Sequence, residues 1–208
     1  IATAAIGKLD ITLVGVSSHW ANQTKAKNAL LAASEFMVEI DKINKTFESP
    51  YPFCVGIGTL NGGSSTNIVP DYAEMHGNIR SCTMEDFYKL SDLVETAGKK
   101  ISEKTGVEIS VEISKDPITP IVNDKFMVQK AAEVGKDVFG DEFYIMNKLY
   151  LAGDNACLYF KKVPGIFMVF RSAVHNGQAL HNPHFILNED GFYKALEMLH
   201  KYLININK

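Results

Sequence analysis

No stretch of the 208-residue sequence approaches the ~18–20 consecutive apolar residues of a membrane-spanning helix. Ile1 to Gly7 have neither the charged nor the apolar region of a secretory signal peptide, and they resemble the middle of a domain more than a natural start. There is no CxxC spacing. The three cysteines, Cys54, Cys82 and Cys157, are far apart and odd in number, which fits buried, reduced thiols in a cytoplasmic protein rather than a disulfide framework. There is no basic face either. The 21 lysines and arginines are outnumbered by 24 acids, and the lysines fall mostly on amphipathic stretches, so nucleic acid is not an expected partner. Internal repeats and low-complexity tracts are also missing, which excludes solenoids and tails. What is present, 46% hydrophobic and 22% charged residues, is the composition of a soluble globular protein able to bury one good core or two modest ones.

Leu9, Ile11 and Leu13 alternate with polar residues and predict a half-buried strand from Lys8 to Val16. Leu31, Phe36, Val38, Ile40 and Ile43 recur at near-helical spacing and predict a helix from Asn28 to Ile43, stopped by Pro50 and Pro52. Phe53 to Leu60 is strand-like and ends in Asn61-Gly62-Gly63, a strong turn signal; Ala73 to Ser81 is its expected antiparallel neighbour. Thr83 can accept from the free amides of a first turn that contains Glu85 and Asp86, so a helix is expected from there to about Lys104. Gly106 ends it, and Val107, Ile109, Val111 and Ile113 alternate as a strand. Strand, helix, strand, strand, helix, strand over residues 8–116 is the order of an α+β ferredoxin-like domain.

After Asp116-Pro117-Ile118-Thr119-Pro120 the pattern turns to α/β. Helices are expected at Lys125 to Phe139, Asp154 to Lys161 and Asp190 to Ile204, with a short strand inside Glu142 to Tyr150 and a buried one at Gly165 to Phe170. Two strands are too few for the many-stranded parallel sheet such a pattern belongs to. Residues 117–208 are therefore expected to be a partial segment of a larger α/β domain.

Four separated stretches carry a resemblance. They are Gly15-Val16-Ser17-Ser18-His19-Trp20-Ala21; Gly56-Ile57-Gly58-Thr59-Leu60-Asn61-Gly62-Gly63 running into Thr66-Asn67-Ile68-Val69-Pro70-Asp71 and Gly77-Asn78-Ile79-Arg80; Gly153-Asp154-Asn155-Ala156 ahead of Val163-Pro164-Gly165; and Leu180-His181-Asn182-Pro183-His184-Phe185. In order and spacing they resemble the zinc-dependent peptidases and amidohydrolases that include aminoacylases, hippurate hydrolase and the auxin-conjugate hydrolases. The resemblance runs from about Gly7 to Leu203. It departs at Gln23 and Ala26, where the family carries a proline and a glycine nearby, and at Asn155 and Ala156, where one branch reads Ser-Glu-Asp-Phe across 153–156; Asp154 keeps the carboxylate there. Taken alone, His19 is a polar strand end, Arg80 an exposed strand residue, and His181 a surface histidine. Gly62 and Gly63 permit positive φ at a tight hairpin.

The resemblance implies a lid and dimerisation domain at residues 8–116, followed by the C-terminal segment of a zinc-hydrolase catalytic domain. Amide hydrolysis by two metals needs a water made acidic by the ions, a carboxylate base and a group that stabilises the tetrahedral oxyanion. The family's His-x-Asp or Cys-x-His pair and its Glu-Glu pair are absent from the sequence. His181 corresponds to the last zinc ligand, so two zinc ions are expected in an intact enzyme and none bound tightly by this chain. His19 corresponds to the lid histidine that reaches into a partner subunit's site and donates to the oxyanion. Arg80 corresponds to the fork that grips the substrate carboxylate, and Asn67 supplies an amide to the same carboxylate or to the scissile carbonyl. The expectation is part of an amidohydrolase of N-acyl amino acids or small peptides, homodimeric and inactive as this chain alone. The alternative is a dimerisation or carboxylate-binding module without catalysis.

Overall fold

The computed structural model describes residues 1–146, 149–170 and 182–206. They form two compact units: Ile1 with 3–120 and 149–158, and Ala2 with the described residues of 121–148 and 159–208. Among the described residues no helix is long and apolar enough to cross a membrane.

The first unit is built from β1 (Ala5–Val14), β2 (Ser18–His19), α1 (Ala29–Thr46), β3 (Phe53–Gly62), β4 (Ile68–Val69), β5 (Tyr72–Ser81), α2 (Met84–Thr105) and β6 (Glu108–Ile113). Four strands make an antiparallel sheet in the order β3-β5-β1-β6, while β2 pairs with β4 apart from it. Leu9, Ile11 and Leu13 of β1 are buried, and Lys8, Asp10 and Thr12 between them turn to the other face. That alternation is what a sheet covered on one side requires.

Both helices supply the cover. In α1 the buried residues Ala29, Ala32, Ala33, Phe36, Ile40 and Ile43 fall at intervals of one, three and four residues and so form one stripe. The Asn28 side chain opens the helix by accepting from the Leu31 N–H at 3.0 Å. Thr83 caps α2 by accepting from the Asp86 N–H at 3.1 Å, and Glu85 and Asp86 favour its positive end. Gly106 closes α2 at φ 69°, the left-handed conformation that suits glycine. Phe36, Phe87, Leu90 and Val94 of the helices join Leu9, Ile11, Leu13, Met75 and Ile79 of the sheet in one core. Each such side chain contributes roughly 1.5–3 kcal/mol on burial. Two short strands, β2 and β4, are additions that the apolar pattern does not announce.

The second unit contains α3 (Lys125–Phe139) and α5 (Glu189–Ile206), with the single-turn α4 (Cys157–Phe160) at the point where the chain enters it. Ala131 and Val134 of α3 pack with Met198 and Tyr202 of α5. Asp124 caps α3, its carboxylate accepting from the Met127 N–H at 3.0 Å.

The strands expected at 165–170 and within 142–150 do not form among the described residues. At 165–170 the apolar run is present but no strand among the described residues lies beside it. Its polar groups are taken instead by the lead-in to α3. The Asp124 N–H donates to the Gly165 carbonyl at 2.9 Å, and the Asn123 amide both accepts from the Phe167 N–H at 2.8 Å and donates to the Phe167 carbonyl at 3.0 Å. One asparagine side chain does there what a neighbouring strand would do. Before 143–146, the chain makes a 3-10 turn, Gly140–Glu142.

Two substitutions and one titration test these assignments. A methyl at Gly77 would lie 2.0 Å from the Gly56 carbonyl oxygen, where β3 breaks register against β5 between Ile57 and Thr59. Gly77→Ala is therefore expected to cost ~2–4 kcal/mol in denaturant unfolding, a loss of the size that backbone overpacking brings. The Tyr202 hydroxyl is buried without a hydrogen-bond partner among the described residues, so Tyr202→Phe is expected to leave the unfolding free energy unchanged or raise it by up to ~1 kcal/mol. On the outer face, hydrogen bonds from Lys8 and then His76 hold the Asp10 carboxyl below its ordinary value. Its pKa is thus lower folded than unfolded. The stability it gives is present above the ordinary carboxylate range and lost as pH falls through the folded value. Asp10→Asn is expected to lower stability at neutral pH and to flatten the acid limb of a pH–stability curve.

Candidate functional site

At the end of β1 the chain turns outward and is fastened by backbone bonds to the segment that precedes β5. The Gly15 N–H donates to the Asp71 carbonyl at 2.7 Å, and Val16 and Lys27 exchange two bonds of 2.9 and 3.0 Å that close the loop between them. Ser18 then lies opposite Val69 and His19 opposite Ile68. The Trp20 N–H reaches the Asn67 carbonyl at 3.2 Å, and the Ser17 hydroxyl donates to the Val69 carbonyl at 3.2 Å. Two segments far apart in sequence, one carrying His19 and the other Asn67, are in this way joined side by side.

Local hydrogen bonds orient the two side chains. His19 Nδ1 accepts from the Ala21 N–H at 3.1 Å and caps the 3-10 turn Trp20–Asn22. An acceptor at Nδ1 places the proton of the neutral ring on Nε2, which is then a donor. The Asn67 amide oxygen accepts from the Ser65 hydroxyl, which leaves the NH2 without a partner among the described residues. Both residues are exposed. The corner therefore offers N–H donors, the polarity that suits an oxygen gaining negative charge.

Arg80 is placed elsewhere. It sits at the other end of β5, eight residues from Tyr72, or ~27 Å of strand at ~3.4 Å per residue. The side chain is partly buried; its Nε donates to the Asn78 amide oxygen at 2.7 Å and its NH1 to the Leu151 carbonyl at 2.8 Å. Both acceptors are neutral, and among the described residues Arg80 makes no ion pair. Cys54 is its neighbour across the strand pair. Within one chain, then, His19 and Asn67 come together and Arg80 does not join them.

His181 lies outside the described residues. Asp154 accepts from the Ala156 N–H at 2.8 Å and shapes the turn before α4. Among the described residues no group of three or more His, Cys, Asp or Glu side chains converges as metal ligands, so these residues do not by themselves fit a two-metal centre. Three groups at the site went unassigned in the sequence: Ser65, Asn78 and the Leu151 carbonyl. Asn78 could have been found, since residues two apart on a strand share a face. Leu151 is 71 residues from Arg80, and no sequence signal joins them.

Residues 1–106 match the M20 family model described as the peptidase dimerisation domain. Among characterised relatives, N-acetyldiaminopimelate deacetylase of Streptococcus thermophilus is 23% identical over 93% of this chain and 51% of its own length. That of Oenococcus oeni is 25% identical over 97% and 52%. The chain thus spans about half the length of the relatives it matches. Among solved structures, aminopeptidase PepT of Bacillus cereus superposes with a TM-score of 0.76 at 15% identity, over all of this chain and 53% of that one. YXEP of Bacillus subtilis, described as a dinuclear metal-binding peptidase of the M20 family, gives 0.73 at 20% identity, over 97% and 49%. With its first half matched by that model and its fold shared with such neighbours, the chain belongs to the M20 peptidase family and carries its dimerisation domain.

Proposed function

We propose that this chain is the ferredoxin-like lid and dimerisation domain (residues 8–116), with the distal catalytic-domain segment (117–208), of an amidohydrolase that cleaves the amide bond of N-acyl amino acids or small peptides. The observation that carries this reading is the corner of preset N–H donors at His19 and Asn67. An oxyanion is stabilised most by donors already aimed before the charge appears. His19 Nε2–H donates to the tetrahedral oxygen, and the Asn67 NH2 to the scissile carbonyl. Arg80, charged and without a counter-ion among the described residues, takes the substrate carboxylate.

The ~27 Å of strand between the two ends of β5 keeps Asn67 and Arg80 of one chain off a common carboxylate. They serve one substrate when two copies pair, His19 and Asn67 of one protomer facing the partner's Arg80. The intact enzyme is proposed to carry two divalent ions, zinc by the chemistry of an imidazole ligand, with His181 the ligand this chain contributes. A carboxylate-binding module without turnover is the second reading. The charge on Arg80, without an ion pair among the described residues, favours it, since that feature needs no catalysis.

Metal content and release of amino acid from N-acyl substrates, measured on this chain and on a form joined to the preceding half of a relative, separate the two readings. Two ions per protomer and hydrolysis are expected only in the joined form. Turnover by this chain alone would sink the division of labour proposed here. In the active form, His19→Ala is expected to lower kcat by ~10²–10³ with KM little changed, the signature of a donor that acts in the transition state. Sedimentation of this chain is expected to give a dimer.

A further inference from the structure

We infer that Asn78 is a positioning residue for Arg80, and that its being neutral matters as much as its being an acceptor. The inference rests on the reading of Arg80 as a carboxylate anchor. A guanidinium has five N–H donors in a rigid planar fork. Here two are taken, Nε by the Asn78 amide oxygen and one hydrogen of NH1 by the Leu151 carbonyl. Those two bonds fix the plane and leave three N–H donors, two on NH2 and one on NH1, without a partner among the described residues and available to a carboxylate. Leu151 is itself fixed to the sheet: the Ala4 N–H donates to the Ala152 carbonyl at 2.8 Å, and Gly153 packs against Ile6, whose Cα partner on β5 is Arg80.

The choice of acceptor has an electrostatic consequence. Arginines held in place by aspartate or glutamate spend their charge on that partner. Asn78 and a backbone carbonyl hold the geometry without neutralising the charge, so an arriving carboxylate is the first counter-ion the group meets. On the outer face of β1 and β5, Asp10 is engaged with Lys8 and His76, and Glu74 with Tyr72.

The probe is N-acetyl-L-alanine, with N-acetyl-L-alanine amide as the control that lacks the carboxylate, titrated into the full chain. The readout is the Arg80 Nε–H resonance. The sequence has only two arginines, Arg80 and Arg171, so Arg80→Ala assigns it. The acid is expected to shift that resonance, and the amide is not. Asn78→Ala is expected to weaken binding about tenfold and to speed exchange of the Nε–H with water, as loss of one hydrogen bond at a charged group would. Asn78→Asp is decisive: it is expected to keep the Nε–H protected, which shows the fold and geometry intact, yet to weaken binding at least as much. A merely structural Asn78 would be replaced by aspartate without loss, so wild-type affinity in Asn78→Asp overturns the inference and leaves the anchor standing. If the wild type does not distinguish acid from amide, the anchor falls and this inference with it.

Discussion

The pairing of β1 with β5, from Ala5 opposite Ser81 to Val14 opposite Tyr72, is the constraint on which the other features of the first unit rest. Its register decides which residues face the helices. Leu9, Ile11, Leu13, Met75 and Ile79 go inward together, while Asp10 meets His76 and Lys8 meets Asn78 on the outside. A slip of one residue would bury Lys8 and Asp10 and expose the core of both strands. The same register sets Arg80 beside Ile6, within reach of the 149–158 segment, and sends the chain past Val14 toward the His19 corner. β5 is thus a ruler with a candidate binding element at each end.

The two ends are stiffened by different means. The His19 corner lies outside the apolar core; its order comes from backbone bonds that tie 15–20 to 67–71 and from side chains that cap their own neighbourhood. Such bonds are individually worth ~0.5–1.5 kcal/mol, yet each removes a rotation that would otherwise blur the direction of a donor. Arg80 is held from two elements at once, by a strand residue and by a loop carbonyl. In both places bonds to the protein fix the group and leave N–H donors without a partner among the described residues, the arrangement that costs little reorganisation if an anion arrives.

Much of the first unit was legible in the sequence because alternation and helical spacing there agree with caps and turns. Thr83, Gly106 and the Leu9-Ile11-Leu13 alternation each point to a single conformation. The second unit was less legible. Gly165 to Phe170 has the composition of a buried strand, but a strand is a relation between two segments, and the partner here is one asparagine side chain. β2 and β4 are two residues each and leave no periodicity to detect. Asn67 and His19 could be picked out by resemblance, whereas their adjacency came from Trp20 donating to the Asn67 carbonyl, a contact no pattern encodes. His181 falls outside the described residues, so its role rests on the motif around it.

The separation along β5 constrains mechanism more than any single contact does. No side chain spans ~27 Å of strand, and both ends are built into the same antiparallel sheet, so local motion cannot bring His19 to Arg80. If both act on one small substrate, the second end must come from another copy of the chain. The domain they occupy is a dimerisation domain by family. On the proposed reading of His19 as an oxyanion donor and Arg80 as a carboxylate anchor, the lid gains from pairing something a monomer cannot have: a site whose two halves are each rigid, and whose spacing is set by the interface rather than by a flexible loop.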